Sequence, residues 1–387
     1  MALSKIDVAN MVTGAVPVAN GGTALTSGFV NGKDPRPDAK PIIYNGDMGV
    51  AQRGTSFTGV SSGSNWPVDR FEFYPTNLGA YTIIQEALTS GEAYNNGFRT
   101  ALRIDTTTAD ASPASTDYAI LRAKLEGKDL GLFKKGTSNA EKFTLAFWVK
   151  SNKTTTGQVN LFDIDNDRLV SGTYTISSAN TWEKKIINFP ADTTGGFDND
   201  NALSLVVEFF LDSGSNFSSG TAPTAWEAQT NADRNANNFA IGSSTDNDFA
   251  MTGVQLEVGE FSSTTIPPFQ FETFGDNLAR CQRYYYRMIN ENVAMGTFSY
   301  YSSGRVEAGV SFPVTMRTAP SLVSTSGSSY FRVQRNGGDN NLNDLSAGNI
   351  GLTHASIFNT DEASGTAGHA GYGYTRGSGF VSWDAEL

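Results

Sequence analysis

The chain has 387 residues, 39% of them hydrophobic and 17% charged, with 40 Gly, 25 Phe and 14 Tyr; that is apolar surface enough for two or three cores and too much for a disordered chain. Its formal net charge of −11 excludes the basic face by which a nucleic-acid binder neutralises phosphates, and disfavours docking on anionic lipid. The single cysteine, Cys281, excludes an intrachain disulfide framework and a thiolate zinc site, and no run approaches the ~20 apolar residues of a membrane span.

Met1 to Asp7 lacks a basic stretch followed by an apolar run, so no signal peptide is expected there. Val12-Thr-Gly-Ala-Val-Pro-Val-Ala-Asn-Gly-Gly-Thr23 sets small apolar residues between turn formers, and Gly28 to Lys40 is rich in Gly, Asp and Pro. Residues 1–40 bury little surface alone. They are expected to be extended, as a free tail or as an anchor that docks on a larger assembly.

From 41 to 262, short alternating runs separated by turns predict a β-sandwich. Phe143, Leu145, Phe147 and Val149 share a face by period 2, as do Leu203, Leu205, Val207, Phe209 and Leu211. Val254, Leu256 and Val258 alternate with Gln255 and Glu257. Asp163-Ile-Asp-Asn-Asp167 has the spacing of a calcium loop, but Arg168 and Tyr174 stand where that loop needs Gly and Glu. A solvated hairpin turn between strands over 159–164 and 169–176 is expected instead.

In the connector 263–283, Pro267-Pro268 breaks regular structure, and Asp276 is the expected N-cap of a short helix running toward Tyr286. Alternation returns in Arg305 to Phe312, and 284–387 reads as a smaller C-terminal β-sandwich. The fold class expected is all-β throughout.

Pro41-Ile-Ile-Tyr-Asn-Gly-Asp-Met-Gly-Val-Ala-Gln-Arg-Gly-Thr-Ser-Phe57 and Trp66-Pro-Val-Asp-Arg-Phe71 resemble the jelly-roll modules of phage tail-fibre and virion structural proteins. Those modules look like the carbohydrate-binding modules of polysaccharide-degrading enzymes. Met251-Thr-Gly-Val-Gln-Leu-Glu-Val-Gly259, Pro267-Pro-Phe-Gln-Phe-Glu272 and Cys281-Gln-Arg-Tyr-Tyr285 follow in that family's order, and Val16 to Thr23 is similar to a motif of fibre shafts. Val310 to Pro320 looks like the strand pair that comes after.

The resemblance implies a jelly-roll over 41–262 in a tail or capsid fibre, made in the host cytoplasm and carried on the virion. It implies a homotrimer joined to phage tail or capsid proteins through residues 1–40, touching host-surface polysaccharide and neither nucleic acid nor membrane. Two other functions stay open: a structural fibre, decoration or adaptor without a receptor role, and a polysaccharide-degrading enzyme.

Sugar binding needs aromatic faces for pyranose C–H groups beside polar side chains for hydroxyls. Trp226 lies in a polar stretch, and Tyr372, Tyr374 and Trp383, with His354, His369 and Arg376 nearby in sequence, could form a distal binding tip. These four aromatics are the candidate carbohydrate-binding residues, set against ordinary core or edge packing. No motif requires a cofactor. The resemblance allows a structural calcium, with Asp47 as its candidate ligand. No catalytic motif stands out, and Asp198/Asp200 and Asp246/Asp248 are carboxylate pairs in Asn-rich loops. Arg53 and Arg70 are expected to pair with Asp47, Asp69 or Glu72.

Overall fold

The computed structural model describes residues 40–387. The segment 1–40 expected as an anchor lies, apart from Lys40, outside the described residues. The remainder is all-β. Its first sheet has twelve strands: β1 Ser56–Ser62, β2 Asn65–Val68, β3 Phe71–Ala87, β4 Thr100–Thr108, β5 Tyr118–Glu126, β6 Phe143–Lys150, β7 Thr156–Asp163, β8 Arg168–Thr175, β9 Glu183–Phe189, β10 Leu203–Ser213, β11 Glu227–Ala228 and β12 Asp248–Val258. They run in the order β11-β8-β7-β10-β5-β3-β4-β12-β6-β9, with β1 and β2 also paired to β3.

One strand serves both layers of this sandwich. β3 pairs with β5 through Phe71 to Thr76 and with β4 through Ala80 to Ala87. The change falls at Asn77 and Gly79, both at positive φ. A Cβ on Gly79 would lie 2.1 Å from the Thr108 carbonyl oxygen, so only glycine lets the chain turn there. The bend brings the apolar faces of β6 and β10 together. Phe147 meets Phe209 edge-to-face with ring centroids 5.0 Å apart, inside one core that reaches from Ile43 to Leu256.

The period-2 runs over 143–150, 203–211 and 254–258 all form strands with the expected side inward. The other side of β10 is buried too, because residues 214–240 fold over it. The hairpin β7–β8 also forms as read. Its first aspartate is not solvated: Asp163 is fully buried against the Lys135 ammonium at 2.5 Å, and Asp192 lies 3.0 Å from the same nitrogen. Arg168 completes a balanced set of two cations and two anions, which is how buried charges are tolerated.

The helix runs Phe274–Gln282, and its N-cap is Thr273 rather than Asp276. The Thr273 hydroxyl accepts from the Asp276 backbone N–H at 3.2 Å and donates to the Asp276 carboxylate at 2.8 Å, so Asp276 is the third helical residue, tied back to the cap. The helix stops early because Tyr285 onward is drawn into a strand.

That strand opens the C-terminal sandwich: β13 Tyr285–Ile289, β14 Ala294–Ser302, β15 Arg305–Ser311, β16 Ser321–Ser324, β17 Phe331–Arg335, β18 Gly338–Leu342, β19 Ser346–Gly348, β20 His354–Asn359, β21 Ala370–Thr375 and β22 Val381–Asp384. Seven form a sheet in the order β18-β17-β21-β14-β15-β20-β19, packed against the sheet β13-β22-β16 over a second core that includes Phe298, Tyr300, Ile357 and Trp383. The strand pair expected over 310–320 does not form. β15 ends at Ser311 and 312–320 is irregular; Pro313 and Pro320 have no N–H for a ladder.

Between the sandwiches sits a packed ionic junction. Arg70 is paired with Glu386, donates to the Lys124 carbonyl at 2.6 Å and lies 3.4 Å over the Tyr284 ring. Arg53 lies 3.5 Å over Tyr285, 3.3 Å from both Asp384 and Glu386 and 4.0 Å from Asp69. Arg283 grips Glu126 with two bonds of 2.9 and 2.7 Å. Of the expected partners, Asp69 meets Arg53, whereas Glu72 pairs with Arg122 and Lys124.

Candidate functional site

The four candidate aromatics do not come together. Trp226 is 8% exposed, its indole N–H donates to the Pro190 carbonyl at 2.8 Å, and its ring lies beside Phe143 and 5.0 Å from the Lys135 ammonium. Trp383 is fully buried against Phe312 in the C-terminal core. Neither indole offers a free face for a sugar ring. Both are core residues, which corrects the expectation that they meet a ligand.

Tyr372 and Tyr374 lie differently. They alternate with Gly371 and Gly373 along β21 and so share the outer face of the seven-stranded sheet, with ring centroids 6.5 Å apart. Tyr372 is 53% exposed. This is the open face of a sheet rather than a tip. His354 starts β20 with its Nδ1 2.9 Å from the Thr353 hydroxyl, and Arg376 donates to Asn341.

Register then assembles residues that sequence reading did not single out. Tyr372 stands opposite Thr297 of β14 on one side and Gln334 of β17 on the other. Ser299 faces Glu307 across β14–β15, Gly309 faces Ser356 across β15–β20, and Ser356 faces Gly348 of β19. Thr297, Ser299, Glu307, Gly309 and Ser356 line a surface trough of about 420 Å3, within the ~300–1,000 Å3 typical of small-ligand sites. Its floor is low at Gly309, where an added Cβ would meet nothing within 4 Å.

Two cations beside the trough are paired with carboxylates, while Arg376 past Tyr374 donates to the neutral Asn341. Glu307 accepts from Arg305 at 2.9 Å, and the Arg305 guanidinium lies 4.2 Å over the Phe358 ring. Arg332 is paired with Asp339 beside Tyr374. The trough therefore offers a largely apolar surface that includes Ala308 and carries three hydroxyls and one carboxylate, with a tyrosine ring on the next strand and no cation among its lining residues. Such a surface can stack a sugar ring and hydrogen-bond its hydroxyls.

One face of the jelly-roll sheet is closed. Ser171, Asn160, Glu208, Arg122 and Glu72 stand in register across β8, β7, β10, β5 and β3. Residues 214–240 cover this polar row: Gln158 donates to the Asp233 carbonyl, Asn160 to the Arg234 carbonyl, and Arg234 binds Glu208 at 2.5 Å. Asn160 and Glu208 are fully or almost fully buried.

Asp47 does not fit a calcium ion. Its Oδ1 accepts from the Gly49 N–H at 3.3 Å and the Asn277 amide at 3.1 Å, so donors point at it where an ion would need further oxygens. The nearby Glu272 carboxylate is held by Arg280 at 2.7 Å. Burial pushes the Asp47 carboxyl above its usual range. Among the described residues no group of three or more His, Cys, Asp or Glu is placed to hold a metal, and no helix is long and apolar enough to cross a membrane.

One member of each carboxylate pair does structural work. Asp200 accepts from the Ala202 N–H at 2.8 Å, and Asp248 accepts from the Asn152 N–H at 2.8 Å and meets Arg103 at 3.3 Å. Cys281 is buried, and burial pushes its thiol well up, the opposite of an activated nucleophile.

No family model matches the chain, and no curated protein matches it. Among solved structures it is similar to the enzymatically active domain of tailspike protein 4 of Bacteriophage CBA120, at 12% identity and a TM-score of 0.28 over 56% of this chain and 21% of that one. It is similar to the Clostridium thermocellum xylanase 10B modules complexed with xylohexaose, at 13% identity and a TM-score of 0.25 over 54% of this chain and 30% of that one. A family 11 carbohydrate-binding module from Clostridium thermocellum, in complex with a mixed-linked tetrasaccharide, gives 11% identity and a TM-score of 0.25 over 54% and 98%. With every one of these TM-scores below 0.5, fold class rests on the two β-sandwiches themselves and function on the chemistry of the trough.

Proposed function

We propose that this chain is a bacteriophage fibre component that attaches to a host surface by holding saccharide in the trough of its C-terminal sheet. The observation that carries the binding half is the union of an exposed Tyr372 with an open trough, apolar but carrying three hydroxyls, on the strands next to it in register. The virion half is supported by the resemblance of three ordered motifs between residues 16 and 286 to phage fibre modules. In this reading residues 1–40 join the chain to tail or capsid proteins, and a homotrimer multiplies weak contacts into avidity. Binding involves no chemical step. The ionic junction mounts the trough-bearing sandwich firmly on the jelly-roll, which suits a protein that must transmit a grip.

Affinity electrophoresis tests the reading. The full chain is expected to be retarded in gels containing a bound polysaccharide, and Gly309→Val, whose side chain would project into the trough, is expected to be retarded less while melting at the wild-type temperature. Equal retardation of both would overturn it. Gold-labelled antibody against the chain should decorate intact particles; absence of label from particles would remove the fibre assignment.

A further inference from the structure

Resting on the reading of the trough as a saccharide site, we infer that its ligand is an uncharged oligosaccharide lying across the strands, and that the Arg305–Glu307 pair is what selects it against acidic sugars. The trough runs from Thr297 and Ser299 on β14, where Thr297 stands in register with Tyr372 of the neighbouring β21, across β15 at Gly309 to Ser356 on β20. Its three strands at ~4.8 Å spacing span roughly 10 Å, and Tyr372 on the flanking β21 extends the face to roughly 14 Å, more than one monosaccharide needs. The polar groups fall along this line: Thr297 and Ser299 before Gly309, Glu307 beside it, and Ser356 beyond.

Polarity sets the class. Glu307 is the one ionisable residue among those lining the trough, and an ionised carboxylate only accepts hydrogen bonds. Sugar hydroxyls can donate to it. A uronate or sialate group laid there would meet a carboxylate whose charge Arg305 offsets in part through Oε2, on a chain already at −11. The cation that could have received that group, Arg305, is spent on Glu307 at 2.9 Å and held on the Phe358 ring. Arg332, on the Tyr374 side, is likewise spent on Asp339. Like charges a few ångström apart at a protein surface cost enough to weaken binding by roughly tenfold or more.

Glu307→Gln makes the inference specific, because it removes the repelling charge and releases Arg305 at once. The experiment measures binding of full-length wild type, Gly309→Val and Glu307→Gln to an immobilised panel of neutral hexose, deoxyhexose and N-acetylhexosamine oligosaccharides and their uronic- and sialic-acid counterparts. Wild type is expected to bind at least one neutral member at least tenfold more tightly than its acidic counterpart. Gly309→Val, folded by its melting temperature, should lose both, and Glu307→Gln should narrow the gap or reverse it. Acidic counterparts bound by wild type as tightly as neutral ones, with Gly309→Val losing both, would overturn the charge selection and leave the saccharide trough standing. Binding by Gly309→Val equal to wild type, or no binding of any panel member by wild type, would overturn both.

Discussion

Replacing Glu386 with glutamine removes the countercharge of Arg70 while leaving the shape of the junction almost unchanged. The two side chains are only 4% and 7% exposed, so the remaining guanidinium cannot be rescued by water. Removing one member of a buried ion pair costs about 3–5 kcal/mol. Arg53 keeps Asp384 and Asp69, so the loss falls mainly on Arg70. Arg70 in turn keeps its bond to the Lys124 carbonyl and its seat over Tyr284, which places the expected loss toward the lower end, about 3 kcal/mol. Urea denaturation of wild type and Glu386→Gln should show that difference as a lower midpoint at equal slope. The double variant Arg70→Met with Glu386→Leu should recover most of it, because no charge is then left buried alone. A single-variant loss under about 1 kcal/mol would mean that the pair behaves as a solvated surface contact, and would refute the view of the junction as a buried lock.

Four further substitutions have outcomes set by particular side chains. Trp383→Ala should cost about 3–5 kcal/mol of stability, as large-to-small changes in a filled core do, and Trp226→Ala should likewise act through stability when followed by thermal melting. Tyr372→Ala should leave stability within about 0.5 kcal/mol of wild type yet weaken saccharide binding about tenfold by titration calorimetry, the share of an aromatic stacking contact; unchanged binding would remove Tyr372 from the site. Burial raises the Glu72 carboxyl, but Arg122 and Lys124 outweigh it and hold it below its usual value. A depressed carboxyl lends stability that is full above its unfolded value of about 4.3 and is lost as pH falls through the folded one, so the stability gap between wild type and Glu72→Gln should close on acidification below about pH 4.

Local pattern made much of the fold legible. The strands over 143–150, 203–211 and 254–258 announce themselves by alternation, since a side chain every second residue faces one core. Tyr372 and Tyr374 could also be read onto one face, because they alternate with glycine. What pattern could not supply was anything set by register or by distant partners. Thr297, Glu307, Gly309 and Ser356 meet only because β14, β15 and β20 pair as they do. Arg70 finds its carboxylate 316 positions along the chain, where no local rule points. Trp226 sits among polar residues in sequence, yet Pro190 and Phe143 enclose it. The helix cap moved from Asp276 to Thr273 because two capping residues compete within three positions, and only the helix start decides between them.

The central claim is that saccharide lies in the trough of the C-terminal sheet. A structure of the full chain with a bound neutral oligosaccharide tests it most directly. Sugar density is expected to run from the Tyr372 ring over Gly309 to Ser356, with hydroxyls on Glu307. Density at the covered jelly-roll face or at any other surface, with the trough unoccupied, would contradict it.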